Sequence, residues 1–160
     1  MNISEHSRIW IYQANRVLSP AETEQIQSKL DTFTGQWLAH GHELAAHGEV
    51  RYNQFIILAV DEQQAGATGC SIDSSVRLML ELEKQFNINL FDRFQLAYRD
   101  GEQIRTCNRD EFQKLIDEGR IHGDTIVFNN LVSTRKALET NWEIPMRDSW
   151  HANLFTLTAV

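Results

Sequence analysis

A chain of 160 residues, 42% apolar and carrying four Trp and eight Phe, is long enough to bury a core and too apolar for disorder. Its formal charge of −7, from 15 Lys and Arg against 22 Asp and Glu, argues against nucleic acid and anionic membrane surfaces as partners. The basic residues never form a run beyond Arg135 next to Lys136.

The opening residues lack a basic stretch followed by an apolar one, and the longest apolar run, residues 55–60, is far too short to span a bilayer. With only Cys70 and Cys107, the expectation is a cytoplasmic protein with reduced thiols.

Residues 8–14, rich in β-branched and aromatic side chains, predict a strand. Ser19, Pro20 and Glu22 then write a helix start with a capping box. Ile26, Leu30, Phe33 and Trp37 recur at helical spacing, Gly35 weakens the helix and Gly41 ends it. Two strands are expected across residues 43–62, connected near Gly48-Glu49, with residues 55–60 apolar on both faces and so central in a sheet. A small-residue loop leads to a second helix from about residue 73 to 86, with Val76, Met79, Leu80, Leu82 and Phe86 on its apolar side.

Asp100-Gly101 turns a hairpin in which Phe94, Leu96 and Tyr98 alternate with small or polar residues. Asn108 and Glu111 open a third helix that ends near Gly119 and turns Phe112, Leu115 and Ile116 inward. Residues 124–132 predict a last strand, and Ser133 caps a short helix through Glu139. Trp150, Leu154 and Leu157 are spaced as on a helix. The expectation is an α+β fold: one domain over residues 1–160, a C-terminal extension from about residue 133, and helices on one face of a mostly antiparallel sheet. The first six elements follow the order of a ferredoxin-like split βαβ unit.

Several chemistries are excluded by motif. A P-loop needs Gly-Lys, and none of the eight glycines precedes a lysine, so ATP hydrolysis is not expected. The dinucleotide glycine spacing is also missing. No cofactor is expected.

What remains is weaker. Cys70 stands just ahead of a helix start, where free N–H groups lower a thiol pKa or hold an anion. Ser71 and Asp73 with Arg77 one turn on would complete such a site, yet the first two are ordinary caps and Asp73 and Arg77 an ordinary ion pair. A nucleophilic Cys70 needs a base and an orienting acid, for which His151 and Asp148 are the candidates. His40, His42 and His47 read as loop histidines rather than metal ligands, and Cys107 as a small core residue. Asn129-Asn130 and Arg51-Tyr52-Asn53 sit at strand ends, where they bind ligands or close turns.

Five stretches, EVRYNQFIILAVDE, ATGCSIDSSVR, FDRFQLAYRDG, IVFNNLV and DSWH, resemble a family of small bacterial proteins that sometimes carry the label "ABC transporter ATPase". The resemblance implies a single-domain cytoplasmic protein, and it supplies no catalytic residues. The label has no Walker motif behind it here.

Two functions stand against each other: a non-enzymatic domain binding an unknown small molecule or protein, and a thiol-dependent or anion-handling enzyme centred on Cys70. The oligomeric state stays open.

Overall fold

The computed structural model describes residues 3–63 and 65–156. Among the described residues the fold is α+β, four helices with antiparallel sheets. Backbone contacts divide it into two units, Met1–Phe91 with Ser133–Lys136, and Asp92–Val132 with Ala137–Val160.

The first unit runs β1 (Arg8–Gln13), α1 (Pro20–Gln36), β2 (Leu38–Ala39), β3 (His42–Glu43), β4 (Ala45–Arg51), β5 (Phe55–Asp61) and α2 (Gly69–Phe86). Its sheet has the order β1-β5-β4, antiparallel throughout. Residues 55–60 of β5 are all 0% exposed, as a strand apolar on both faces must be. α1 begins with the expected capping box, Ser19 and Glu22 bonding each other's backbone N–H. It packs Ile26 and Leu30 among Ile56, Leu58, Met79 and Leu82.

Three expectations change in this unit. First, β4 runs straight through Gly48, and the turn into β5 falls at Tyr52 and Asn53, both with positive φ. Gly48 is needed for space. A Cβ there would lie 3.1 Å from Leu30 Cβ and 3.2 Å from Leu58 Cδ2.

Second, the histidine stretch is a two-stranded ribbon, β2 with β3, turned by His40 and Gly41 at φ of 50° and 78°. Third, α2 starts earlier than expected. Thr68 is its N-cap and Ser71 its third residue, and the two close a capping box. Cys70 therefore lies inside the first turn. The apolar side of α2 is also narrower, because Leu80 is 51% exposed.

A ferredoxin-like unit requires the strand after α2 to lie beside β1. That strand pairs in the other sheet instead. The edge of β1 is met by the returning segment Ser133–Lys136, through an Arg8–Thr134 bridge and a bond from Ile9 N–H to the Ser133 carbonyl.

The second unit holds β6 (Leu96–Asp100), β7 (Gln103–Cys107), α3 (Arg109–Asp117), β8 (Ile126–Phe128) and β9 (Glu143–Pro145). Helix α4 (Arg135–Asn141) enters it from the first unit. The sheet order is β7-β6-β8-β9, again antiparallel. Gly101, with φ of 63°, is the first central residue of a two-residue hairpin turn, where L side chains are strained. Asn108 caps α3 by accepting from Glu111 N–H at 2.9 Å. Tyr98, Phe112, Ile116, Val127 and Met146 form the core.

β9 was not expected, since three residues carry no readable period. The helix expected from Trp150 and Leu154 is replaced by two 3-10 turns, Met146–Asp148 and Trp150–Asn153. Leu157 lies outside the described residues.

Candidate functional site

The first turn of α2 is built for capping. Ser71 is 2% exposed, and its hydroxyl accepts from Thr68 N–H at 2.6 Å and donates to the Thr68 carbonyl at 2.8 Å. Its own carbonyl accepts from Trp37 Nε1 at 2.8 Å. No lone group is left on Ser71 to hold an anion. Asp73 and Arg77 are exposed, and Arg77 donates to Ser74 Oγ at 3.1 Å in place of the expected ion pair. Cys70 is an exposed free thiol. Its expected partners, His151 and Asp148, belong to the second unit while Cys70 belongs to the first.

In the second unit the stretch Asp148, Ser149, Trp150, His151 forms the start of a 3-10 turn. Ser149 is the N-cap and accepts from His151 N–H at 3.1 Å. The same hydroxyl lies 2.8 Å from His151 Nδ1. His151 is 1% exposed and stacks on Trp150, with ring centroids 3.9 Å apart, and on Phe112. Burial lowers its pKa to about 4, so the ring is neutral at pH 7. Asp148 is exposed and does not orient it; Ser149 does. Among the described residues, His151 Nε2 and Trp150 Nε1 are buried without a hydrogen-bond partner.

The asparagine pair closes turns. Asn129 donates from Nδ2 to the Asn141 carbonyl and accepts from Leu131 N–H, both at 3.3 Å. Asn130 Oδ1 accepts from Trp142 Nε1 at 2.9 Å. Asn53 likewise works within the fold, accepting from Thr23 Oγ1 at 3.1 Å. Among the described residues, no group of three or more His, Cys, Asp and Glu could hold a metal ion.

Two of the residues singled out in the sequence meet at one place. Asn129 and Asp148 both line an open cleft of about 430 Å³ in the second unit, with Ser149 and Trp150 beside them. Leu131, Val132 and Ile144 supply its apolar wall, and Leu131 is 73% exposed. Asp148 is the one charged residue of the lining. The cleft exists because β9 pairs with β8: Asn129 N–H donates to the Trp142 carbonyl at 2.7 Å and brings residues 129–132 beside residues 141–150. Leu131 and Ile144 carried no signal in the sequence, and Trp150 only a helical spacing with Leu154 and Leu157, since this pairing is what assembles them.

No family profile, curated protein or solved structure matches this chain.

Proposed function

We propose that this is a non-enzymatic binding domain whose second unit takes a small amphipathic molecule with a cationic head in the cleft beside Asp148. The supporting observation is the lining itself: a single carboxylate against an apolar wall, with Trp150, whose indole N–H lacks a partner among the described residues. Apolar walls with a few placed polar groups are the usual composition of ligand sites. A cation neutralises Asp148, and its apolar body covers Leu131 and Ile144. We place the protein in the cytoplasm, in keeping with two free cysteines, and within the small bacterial family that the sequence resembles.

A titration of isotope-labelled protein with alkyl amines and with matched carboxylic acids, followed by amide NMR, tests this. Amines should shift resonances in residues 129–150, and Asp148→Asn should weaken binding by up to about fivefold, as loss of one solvent-exposed charge pair does. Equal response to the acids, or no response in those residues, would contradict it.

The thiol reading retains one observation, an exposed Cys70 in the first turn of a helix. Its alkylation rate against pH tests it. A midpoint well below about 8.5, the free-thiol value, is what an activated cysteine would give.

A further inference from the structure

Strand β7 is an edge of the second unit's sheet. Its hairpin closes at Asp100 and Gln103, and in a two-residue hairpin that closing pair is hydrogen-bonded. Alternation then makes Tyr98–Arg105 and Leu96–Cys107 bonded pairs, with Arg99–Ile104 and Ala97–Thr106 unbonded ones. The N–H and C=O groups of Ile104 and Thr106 therefore point away from β6. Among the described residues, neither residue finds a backbone partner on that side.

A second cleft, of about 390 Å³, runs between this edge and α3. Arg105, Thr106 and Cys107 line one wall, and Glu111 and Lys114 of α3, with Glu118 just past its end, the other. Arg105 and Cys107 share one face of the strand, while Thr106 faces the opposite way. Thr106 thus meets the cleft through its main chain, and its unpaired donor and acceptor open into the groove. Arg120 stands at the end of this groove without an ion pair among the described residues. Of the three cations there, Arg105 bonds Asp100 at 2.6 Å and Lys114 lies 4.0 Å from Glu118, so among the described residues Arg120 is the positive charge left over, in a chain whose overall balance is −7. Burial, with help from Glu111, pushes the Cys107 thiol up to about 11, which leaves it a protonated floor rather than a nucleophile.

We propose that this groove binds an extended acidic peptide segment of another protein, which adds to β7 as a fifth strand. Main-chain bonds to Ile104 and Thr106 would hold the segment, and Arg120 would select its carboxylates. This is the mode in which an exposed edge beside a helix accepts a strand. It is independent of the cleft beside Asp148.

The test is an amide NMR titration of the full-length protein with an acetylated valine and threonine hexapeptide carrying two glutamates. A lysine version and a version N-methylated at alternate residues serve as controls. Shifts should centre on residues 104–107 and α3, and the Thr106 amide should gain protection from hydrogen exchange. The N-methylated peptide should bind at least tenfold more weakly, and Arg120→Glu should reverse the preference between the glutamate and lysine peptides. Thr106→Pro removes one outward N–H without touching the bonds to β6, so it should abolish binding with near-UV circular dichroism unchanged. If that variant unfolds, the N-methylated peptide still decides. Equal binding of the N-methylated peptide, equal binding of the lysine peptide, the same shifts from inorganic phosphate, or pairing of two copies at Thr106 without peptide would each overturn the proposal.

Discussion

At His151 the chain buries an imidazole between two aromatic rings, with one nitrogen on Ser149 and the other unpaired among the described residues. The folded ring has a pKa of about 4 against an ordinary 6.5. Below 6.5 the unfolded chain takes up a proton that the folded chain refuses. The stability linked to this group is therefore complete above pH 6.5 and is lost as the pH falls towards 4, by up to about 3 kcal/mol. Urea unfolding at pH 7, 5 and 4 should show this loss, and His151→Phe should flatten it. Glu22 acts in a lower window: Arg16, bonded at 2.7 Å, helps hold it down to about 2. At the start of α2 the cap is Thr68, so Thr68→Ala and Ser71→Ala should each cost about 1 kcal/mol, and Asp73→Ala under about 0.5 kcal/mol. Thermal denaturation of the three variants ranks them; Asp73→Ala as the costliest would contradict the assignment.

Among the elements, those whose signals are local were legible in the sequence. α1 and α3 announce themselves by a cap and a helical repeat, and β5 by six consecutive apolar residues. The start of α2 was missed because Ser71 suits the cap as well as it suits the third position of the box, and only the fold chooses. Gly48 looked like a turn because a glycine placed for close packing reads the same in sequence as one placed for positive φ. Gly48→Ala should therefore destabilise by about 1–3 kcal/mol, since Leu30 Cβ has no freedom to withdraw. The cleft beside Asp148 was legible only in fragments: DSWH suggested a triad and the asparagine pair suggested turns. Their meeting depends on β9, whose three residues have no pattern of their own.

Edge protection was invisible as well. Gln27 of α1 donates from Nε2 to the Gly48 carbonyl at 2.8 Å and accepts from Val50 N–H at 3.0 Å, taking the place of a neighbouring strand on β4. Gln113 of α3 holds Thr156 in the same two-bond manner. Gln27→Ala should cost about 1 kcal/mol and expose an edge that pairs between molecules. Sedimentation velocity at rising concentration would show the association, and a strictly monomeric variant would count against it.

For the molecule as a whole, the charge of −7 without a basic cluster predicts no binding to DNA or RNA at physiological salt. Micromolar, steeply salt-dependent retention in a fluorescence titration would refute this. Among the described residues, no helix is long and apolar enough to cross a membrane.

The path of the chain has its own consequence. The first unit is left after Phe91 and revisited by Ser133–Lys136, whose backbone meets β1 and the residues before it. Arg135 N–H donates to the Ser7 carbonyl at 2.9 Å, and Lys136 N–H to the Glu5 carbonyl at 2.9 Å. During translation, β1 and β5 can pair long before those four residues exist. The outer edge of β1 then waits, uncovered, while residues 92–132 are made, and neighbouring nascent chains on one messenger present the same open edge to each other. The returning segment is thus a latch closed late in synthesis. Slowing the ribosome after residue 92 should raise the share of misassembled chains, whereas slowing it before residue 55, when β5 does not yet exist to pair with β1, should not.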